Sequence, residues 1–154
     1  MSPPHFHRPY LISTELVGQS RYILGVDQDG DEADKRIIAY PEGTQGEHVA
    51  WIFKPQPGSP NVSIECGMHE VFAKNGKLWG TMEGKDRPEV QNSAWEIKPR
   101  GDNALADDYL IKSAPAFEGW WFEGDEGSHI DLRSTSPNHE DIRLQQLFRF
   151  VALL

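Results

Sequence analysis

The sequence is poor in cysteine and in positive charge. Cys66 is its only cysteine, so no intramolecular disulfide can form, which favours a reducing compartment. Its 24 acidic residues outnumber its 15 basic ones, for a net charge of −9. Because nucleic acids and anionic membranes attract clustered Lys and Arg, we expect neither as a partner. No stretch approaches the ~20 apolar residues of a membrane helix, and no secretory signal opens the chain, so a cytoplasmic protein is expected.

Motifs of catalysis and of cofactor binding are also missing. The sequence has no Gly-rich phosphate loop, no nucleophile elbow and no Cys or His set at metal-ligand spacing. His5 and His7 form a pair within a Pro-rich leader, residues 1–8, which we expect to be flexible and to bind no metal. The sequence therefore predicts no enzyme, no cofactor and no metal site.

What the sequence does contain is a threefold internal repeat. The pattern W-x-[FI]-K-P begins at Trp51 and again at Trp95, and a degenerate third copy begins at Phe148. Three further segments, residues 10–12, 61–64 and 108–112, resemble one another at the start of each unit. Self-similarity of this kind is typical of a fold built from repeated supersecondary units.

Between these segments the sequence predicts β-strands. Runs such as residues 21–26, 36–40 and 70–74 are rich in β-formers and bounded by Gly, Asp or Pro, and Asn75-Gly76 is a strong hairpin signal. Four short strands in each of three units predict a β-trefoil of twelve strands, whose closure removes most sheet edges. We expect one domain over residues 1–154, with repeats at about 8–56, 60–100 and 107–154. A jelly roll or a sandwich would leave the threefold repeat unexplained.

The segment 27–34 carries five acidic residues among eight. Its alternating Asp27, Asp29 and Asp31 resemble a calcium-binding loop, because a hard cation prefers several carboxylate oxygens on a tight turn. However, Gly30 falls too early for that motif, and the closing bidentate Glu is missing. The segment is therefore interpreted as an exposed, acidic hairpin tip.

Along nearly its whole length, mostly at core positions, the chain resembles the mushroom serine-protease inhibitors of the cospin type. The segments that carry the resemblance are residues 21–23, 35–42, 51–53, 95–103, 109–112 and 144–153. The resemblance implies a fungal β-trefoil that inhibits a serine protease through an exposed loop, without a cofactor.

In that family the loop between the second and third strands enters the specificity pocket of the protease. The resemblance therefore implies that the contacting residues are Asp29, Gly30, Asp31, Glu32, Ala33, Asp34, Lys35 and Arg36. Relatives carry an Asn or a basic residue near the tip, whereas this chain has acidic ones. Because a trypsin-like pocket holds a buried Asp, we expect a target other than trypsin unless a basic residue of the loop enters instead. The hairpin with Lys74 and Asn75 is a spare candidate loop.

More distantly, the chain resembles the ricin-B-like trefoil lectins. Their Q-x-W motif is missing before Trp51 and Trp95, and Gln146-Leu147-Phe148 comes closest to it. Trp79 and Trp120 are candidate sugar platforms. Trp120 and Trp121 are adjacent, so they should point to opposite faces of a strand, one into the core and one to the surface. Three functions stay open at this point: a protease inhibitor, a sugar-binding trefoil, and a trefoil that serves as an interaction subunit.

Overall fold

A computed structural model describes residues 7–14, 21–29, 34–82, 94–99, 108–113, 118–122, 124–134 and 148–153, and these form strands joined by turns and one short 3₁₀ helix, Glu47–Val49. The first six strands are β1 (Tyr10–Thr14), β2 (Tyr22–Val26), β3 (Asp34–Pro41), β4 (Trp51–Pro55), β5 (Val62–Cys66) and β6 (His69–Lys74). The others are β7 (Lys77–Thr81), β8 (Trp95–Pro99), β9 (Asp108–Ser113), β10 (Glu118–Trp121), β11 (Asp131–Ser134) and β12 (Phe148–Ala152).

Six of the strands close into a barrel. All pairs are antiparallel, and around the ring they run β1–β12, β12–β9, β9–β8, β8–β5, β5–β4 and β4–β1. Each of these strands therefore has a neighbour on both sides. Closure satisfies backbone groups that an open sheet would leave unpaired at its edges.

The other six strands form three hairpins, β2–β3, β6–β7 and β10–β11. The hairpins join one another through the β3–β7 and β7–β11 pairs and through a bridge between Ile38 and His129. A six-stranded barrel with a triplet of hairpins is a β-trefoil, so the predicted fold class is confirmed. The twelve strands among the described residues divide in chain order into three sets of four, β1–β4, β5–β8 and β9–β12, whereas the domain limits stay a prediction.

The repeated tryptophan motif anchors the core. Trp51, Trp95 and Phe148 are the first residues of β4, β8 and β12, and all three are fully buried. The indole Nε1 of Trp51 donates to the carbonyl of Leu24 at 2.8 Å, and that of Trp95 donates to the carbonyl of Val71 at 3.2 Å. These acceptors lie in the equivalent strands β2 and β6. The third repeat keeps the aromatic ring at Phe148 but has no donor to place there.

Trp120 lies at the centre of this aromatic cluster. Its ring centre is 5.6 Å from that of Trp51, 5.4 Å from that of Trp95 and 6.4 Å from that of Phe148. The residue is fully buried, so the prediction of Trp120 as a sugar platform is wrong, because the ring has no face open to a ligand. Its neighbour Trp121 points the other way, as strand alternation requires, and is half-buried beneath the guanidinium of Arg133.

Two tight turns use left-handed backbone at both central residues. Asn75 and Gly76 have φ of 55° and 74° and connect the directly paired Lys74 and Lys77, which confirms the predicted hairpin. A second turn was not predicted: Gly67 and Met68 have φ of 54° and 69° between the paired Cys66 and His69. Met68 occupies a conformation that side chains other than Gly, Asn and Asp rarely adopt.

The predicted flexible leader falls mostly outside the described residues, which begin at His7. The amide of His7 donates to the carbonyl of Phe53 at 3.0 Å, so the end of this leader is tied to β4. Over the described parts of the chain, no helix is long and apolar enough to cross a membrane.

Candidate functional site

The connection between β2 and β3 is shorter than the sequence suggests. Asp34, Lys35 and Arg36 belong to β3, where they pair with Thr81, Gly80 and Trp79 of β7. The loop implied by the family resemblance, residues 27–36, therefore narrows to residues 27–33, hereafter the β2–β3 loop. Of the predicted contact residues, Gly30, Asp31, Glu32 and Ala33 lie outside the described residues, and Asp29 is exposed, as is its neighbour Gln28.

Asp27 joins the two ends of this loop. Its amide donates to the carbonyl of Arg36 at 2.8 Å. In return, Nη2 and Nε of Arg36 donate to Oδ2 of Asp27 at 2.7 and 3.2 Å. The other carboxylate oxygen accepts the amide hydrogen of Asp29 at 3.1 Å, which is a local turn typical of Asp. One carboxylate thus fixes the incoming chain, the outgoing strand and the first residues of the loop.

The ionisation of Asp27 depends on these partners. Its side chain is 11% exposed, and burial alone would raise the pKa of the carboxyl. The hydrogen bonds from Arg36 and from the Asp29 amide, together with the charges of Arg36 and Lys35, outweigh burial and hold the pKa of Asp27 below its ordinary 3.8. The group is therefore a carboxylate throughout the neutral range.

A second ion pair holds the outgoing strand. Nζ of Lys74 lies 3.0 Å from Oδ2 of Asp34, and the two side chains are 30% and 12% exposed. The same ammonium lies 4.8 Å from the centre of the Trp79 ring, whose Nε1 donates to the carbonyl of Lys74 at 3.2 Å. We call Asp27–Arg36 and Asp34–Lys74 the base ion pairs of the loop.

The base ion pairs show that part of the negative charge of the acidic segment, residues 27–34, is neutralised within the protein. Two of its five acids, Asp27 and Asp34, are already matched by cations, so their carboxylates are not open to calcium. No group of three or more His, Cys, Asp or Glu side chains among the described residues is arranged to hold a metal ion. Of the acids in this segment that the structure describes, this leaves Asp29, which is exposed.

The spare candidate loop, the Asn75–Gly76 turn, lies at one end of the β6–β7 hairpin, and the β2–β3 loop meets β7 at the opposite end. Lys74 pairs with Lys77 beside the Asn75–Gly76 turn, whereas Thr81, the partner of Asp34, lies at the far end of β7. Lys74 itself reaches back to Asp34, so it supports the β2–β3 loop. Whether Lys74 or Asn75 touches a protease stays a prediction.

The remaining sugar candidate, Trp79, has a crowded ring. The ring is half-buried, with Lys74 over it and the imidazole of His129 packed against it at 4.7 Å and 88°. Nε2 of His129 lies 2.5 Å from the carbonyl of Leu78, which fixes the imidazole in place. A sugar stacking on Trp79 would have to displace one of these side chains, and its role as a platform stays a prediction.

A cleft of about 290 Å³ borders the loop. Its lining comes from the two ends of the loop, from the 3₁₀ helix and from the β5–β6 turn with the start of β6, and includes Asp27, Gln28, Lys35, Gly67 and His69. Sequence reasoning missed this cleft because its walls come from distant segments. In addition, a Gly-Met pair is not a recognised turn signal.

Comparisons with solved structures reveal the same fold in proteins of different activities. A proteinase inhibitor from Coprinopsis cinerea matches with a TM-score of 0.75 and 17% identity, over 95% of this chain and 97% of that one. A ricin B-like lectin from Macrolepiota procera, solved with lactose, matches with a TM-score of 0.67 and 15% identity, over 97% and 99%. The designed threefold symmetric protein ThreeFoil matches with a TM-score of 0.69 and 15% identity, over 94% and 99%.

The sequence itself matches no protein-family model and no curated protein at a significant level. At such low identity the structural likeness establishes the β-trefoil fold and leaves the activity to be argued from the site. The resemblance to mushroom inhibitors and to ricin-B-like lectins is thereby confirmed in architecture.

Proposed function

We propose that the protein inhibits a serine protease, which the β2–β3 loop contacts from a rigid base. The main support for this proposal is the two base ion pairs, Asp27–Arg36 and Asp34–Lys74. Asp27 and Asp34 lie at the two ends of the loop. Arg36 of β3 holds Asp27, and Lys74 of β6 holds Asp34. A loop whose ends are fixed in this way has already lost much of the conformational entropy that binding would otherwise remove.

The base ion pairs also bear on cleavage. If a protease cut the loop between Asp29 and Asp34, both new ends would stay attached to the barrel. Asp27 would remain bonded to Arg36, and Asp34 would remain bonded to Lys74. The cut ends could then neither diffuse away nor relax far, so release of the protease would be slow. The inhibitor from Coprinopsis cinerea supports the proposal, because its fold matches almost the full length of this chain.

Charge narrows the target. Asp29 is exposed at the start of the loop, and the chain carries a net charge of −9. An acidic residue that entered a trypsin-like pocket would face a buried like charge, which is costly in a desolvated site. The favoured targets are therefore proteases whose pocket is apolar or basic.

The test is an inhibition panel of trypsin, chymotrypsin, elastase, subtilisin, an acidic-specific protease and papain. We expect selective inhibition of one of the serine proteases other than trypsin. Inactivity against the whole panel would remove the proposal. Inhibition of papain alone would replace it with a cysteine-protease inhibitor.

A loop variant then tests the site. Residues 29–33 are replaced by a Gly-Ser run that leaves Asp27, Asp34 and Arg36 in place, and inhibition should be lost. The matched control changes Asp125 and Glu126, two exposed acids in the turn region between β10 and β11, to Gly and Ser. Unchanged potency of the loop variant would place the contact elsewhere on the protein.

Carbohydrate binding is the second candidate, favoured by the likeness to a lectin solved with lactose. The rings left for it are the half-buried Trp79 and Trp121, since Trp120 is fully buried. A glycan array decides this candidate, because the absence of any hit would remove it. A protein inactive in both assays would fit the third possibility, an interaction subunit.

A further inference from the structure

Two exposed methionines stand next to the β2–β3 loop. Met68 is 71% exposed and Met82 is 64% exposed. Among the described residues, the only other exposed large hydrophobic residue is Val151 of β12, at 44%. Single exposed hydrophobic residues are common, so the position of the two methionines matters more than their exposure.

Strand register brings both methionines to the end of the sheet where the loop begins. Thr81 of β7 pairs with Asp34 of β3 on one side and with Glu70 of β6 on the other. Met82 directly follows Thr81, and Met68 lies two residues before Glu70. Met82 therefore lies between the β5–β6 turn that carries Met68 and the point where the loop enters β3.

The cleft gives independent evidence that the turn and the loop are close. Gly67 and His69, the residues on either side of Met68, line the same cavity of about 290 Å³ as Asp27 and Gln28. The turn that carries Met68 and the first residues of the loop therefore border one cleft. A protein bound to the loop would come close to Met68.

The turn itself presents Met68 in an unusual manner. Its φ of 69° is a left-handed conformation that is costly for a residue with a Cβ, and such residues cluster where a function requires the geometry. The two-residue turn allows its backbone little freedom. The side chain, in contrast, is flexible and polarisable, a combination that suits an adaptable protein contact.

A stable protein–protein interface needs more surface than the β2–β3 loop offers. A stable protein–protein interface buries about 800 Å² on each partner and involves roughly 20–30 residues a side. A loop of seven residues is too small to supply that area alone. The surface around it must contribute, and the apolar part of that surface is the methionine pair.

We propose that Met68 and Met82 form a second, apolar contact for the same protease that binds the β2–β3 loop. This inference rests on the proposed function. It specifies a partner whose active-site rim carries an apolar patch beside basic groups, since the residues that flank Met68 line the same cleft as Asp27 and Gln28, directly before the exposed Asp29.

The experiment compares Met68→Ala, Met82→Ala and the double variant with the wild type, against the protease that the panel identifies. The double variant should raise the inhibition constant by about tenfold or more, mainly through faster dissociation. Val151→Ala is the matched control, because it removes exposed apolar surface on β12 and should leave the constant unchanged. Thermal melting of each variant checks that the fold is intact.

A measurement on the wild type does not depend on any variant. The chain has three methionines, and brief peroxide treatment followed by peptide mass analysis reports the oxidation of each. Met68 and Met82 should oxidise readily in the free protein and should be protected in the complex with the protease.

The outcomes separate the two proposals. Inhibition by the wild type, with an unchanged constant for the double variant and equal oxidation in the free and bound protein, overturns the methionine contact and leaves the proposed function standing. Failure of the wild type to inhibit any protease of the panel overturns both.

Discussion

The ammonium of Lys74 lies 3.0 Å from the carboxylate of Asp34, forty positions earlier in the chain. This contact joins the second repeat to the first residue of β3, directly after the loop proposed to contact a protease. The same ammonium lies over the Trp79 ring. One side chain of the second hairpin therefore helps to set the position of the loop that belongs to the first.

Replacing Lys74 with Met keeps most of the aliphatic stem and removes the charge. Because the pair is only partly buried, we expect a loss of about 1 kcal/mol in the free energy of unfolding and a several-fold rise in the inhibition constant. A double-mutant cycle with Asp34→Asn measures the coupling. The matched control is Lys54→Met, which breaks a 2.8 Å pair with Glu65 on the barrel. It should cost similar stability without changing inhibition, and an equal loss of inhibition in both variants would contradict the role given to Lys74.

The lowered pKa of Asp27 predicts that the free energy of unfolding decreases at acidic pH. Although burial opposes ionisation, its partners hold the pKa of Asp27 below 3.8 in the folded protein. The folded state therefore binds this proton less readily than the unfolded state. The resulting stability is present above the unfolded pKa and is lost as the pH falls through the folded one.

Thermal melting of the wild type and Asp27→Asn between pH 2 and 6 tests this. The variant should be the less stable of the two near pH 6, and the difference should shrink as the pH falls below about 4. Other carboxylates titrate in both proteins, so the comparison isolates Asp27. A difference independent of pH would mean that the ionisation of Asp27 contributes nothing.

His129 predicts a second pH dependence, of a different origin. Burial against Trp79 and the charges of Lys77 and Arg36 lower the pKa of His129 below 6.5, against the opposing effects of its bond to the Leu78 carbonyl and of Asp131. The unfolded chain then takes up the proton first. Stability should rise with pH between the folded pKa and about 6.5 and be flat above it.

The variant His129→Gln should remove that part of the slope, and melting curves between pH 5 and 8 would reveal it. His48→Gln serves as a control, because that half-buried ring packs on Tyr40 and not on Trp79. An unchanged slope in His129→Gln would assign the dependence to another group.

Trp120 and Trp121 should respond differently to truncation. Trp120→Ala removes the ring that contacts the core aromatics of all three repeats and should cost about 3–5 kcal/mol of unfolding free energy. Trp121→Ala removes a half-buried ring beneath Arg133 and should cost considerably less. Urea unfolding monitored by circular dichroism measures both. Similar losses would contradict the central position of Trp120.

Features encoded within a single segment of the sequence could be predicted, whereas features set by contacts between repeats could not. The repeated motif at Trp51 and Trp95 predicted the trefoil because the same buried position recurs in each unit. Alternation predicted that Trp120 and Trp121 would face opposite ways, but it could not tell which of them faced the core. That choice depends on how the three repeats meet, which no single segment encodes.

The structure around the β2–β3 loop also depends on contacts with distant parts of the chain. Asp34 and Lys35 were predicted to lie in a loop, because the start of their strand is defined by pairing with Thr81 and Gly80 in another repeat. The base ion pairs span nine and forty positions, so no local pattern announces them. The Met68 turn was missed because Met is an unusual residue for a left-handed position.

Closure of the barrel constrains the order in which the strands of this protein can pair during synthesis. The ring is completed by pairing of β1 with β12, the first and last strands of the described chain. During synthesis β1 must wait for the third repeat, with one edge unpaired and able to pair with other chains. Topologies dominated by such distant pairings fold slowly, over milliseconds to seconds. A stalled or truncated chain would therefore be the form most prone to aggregation.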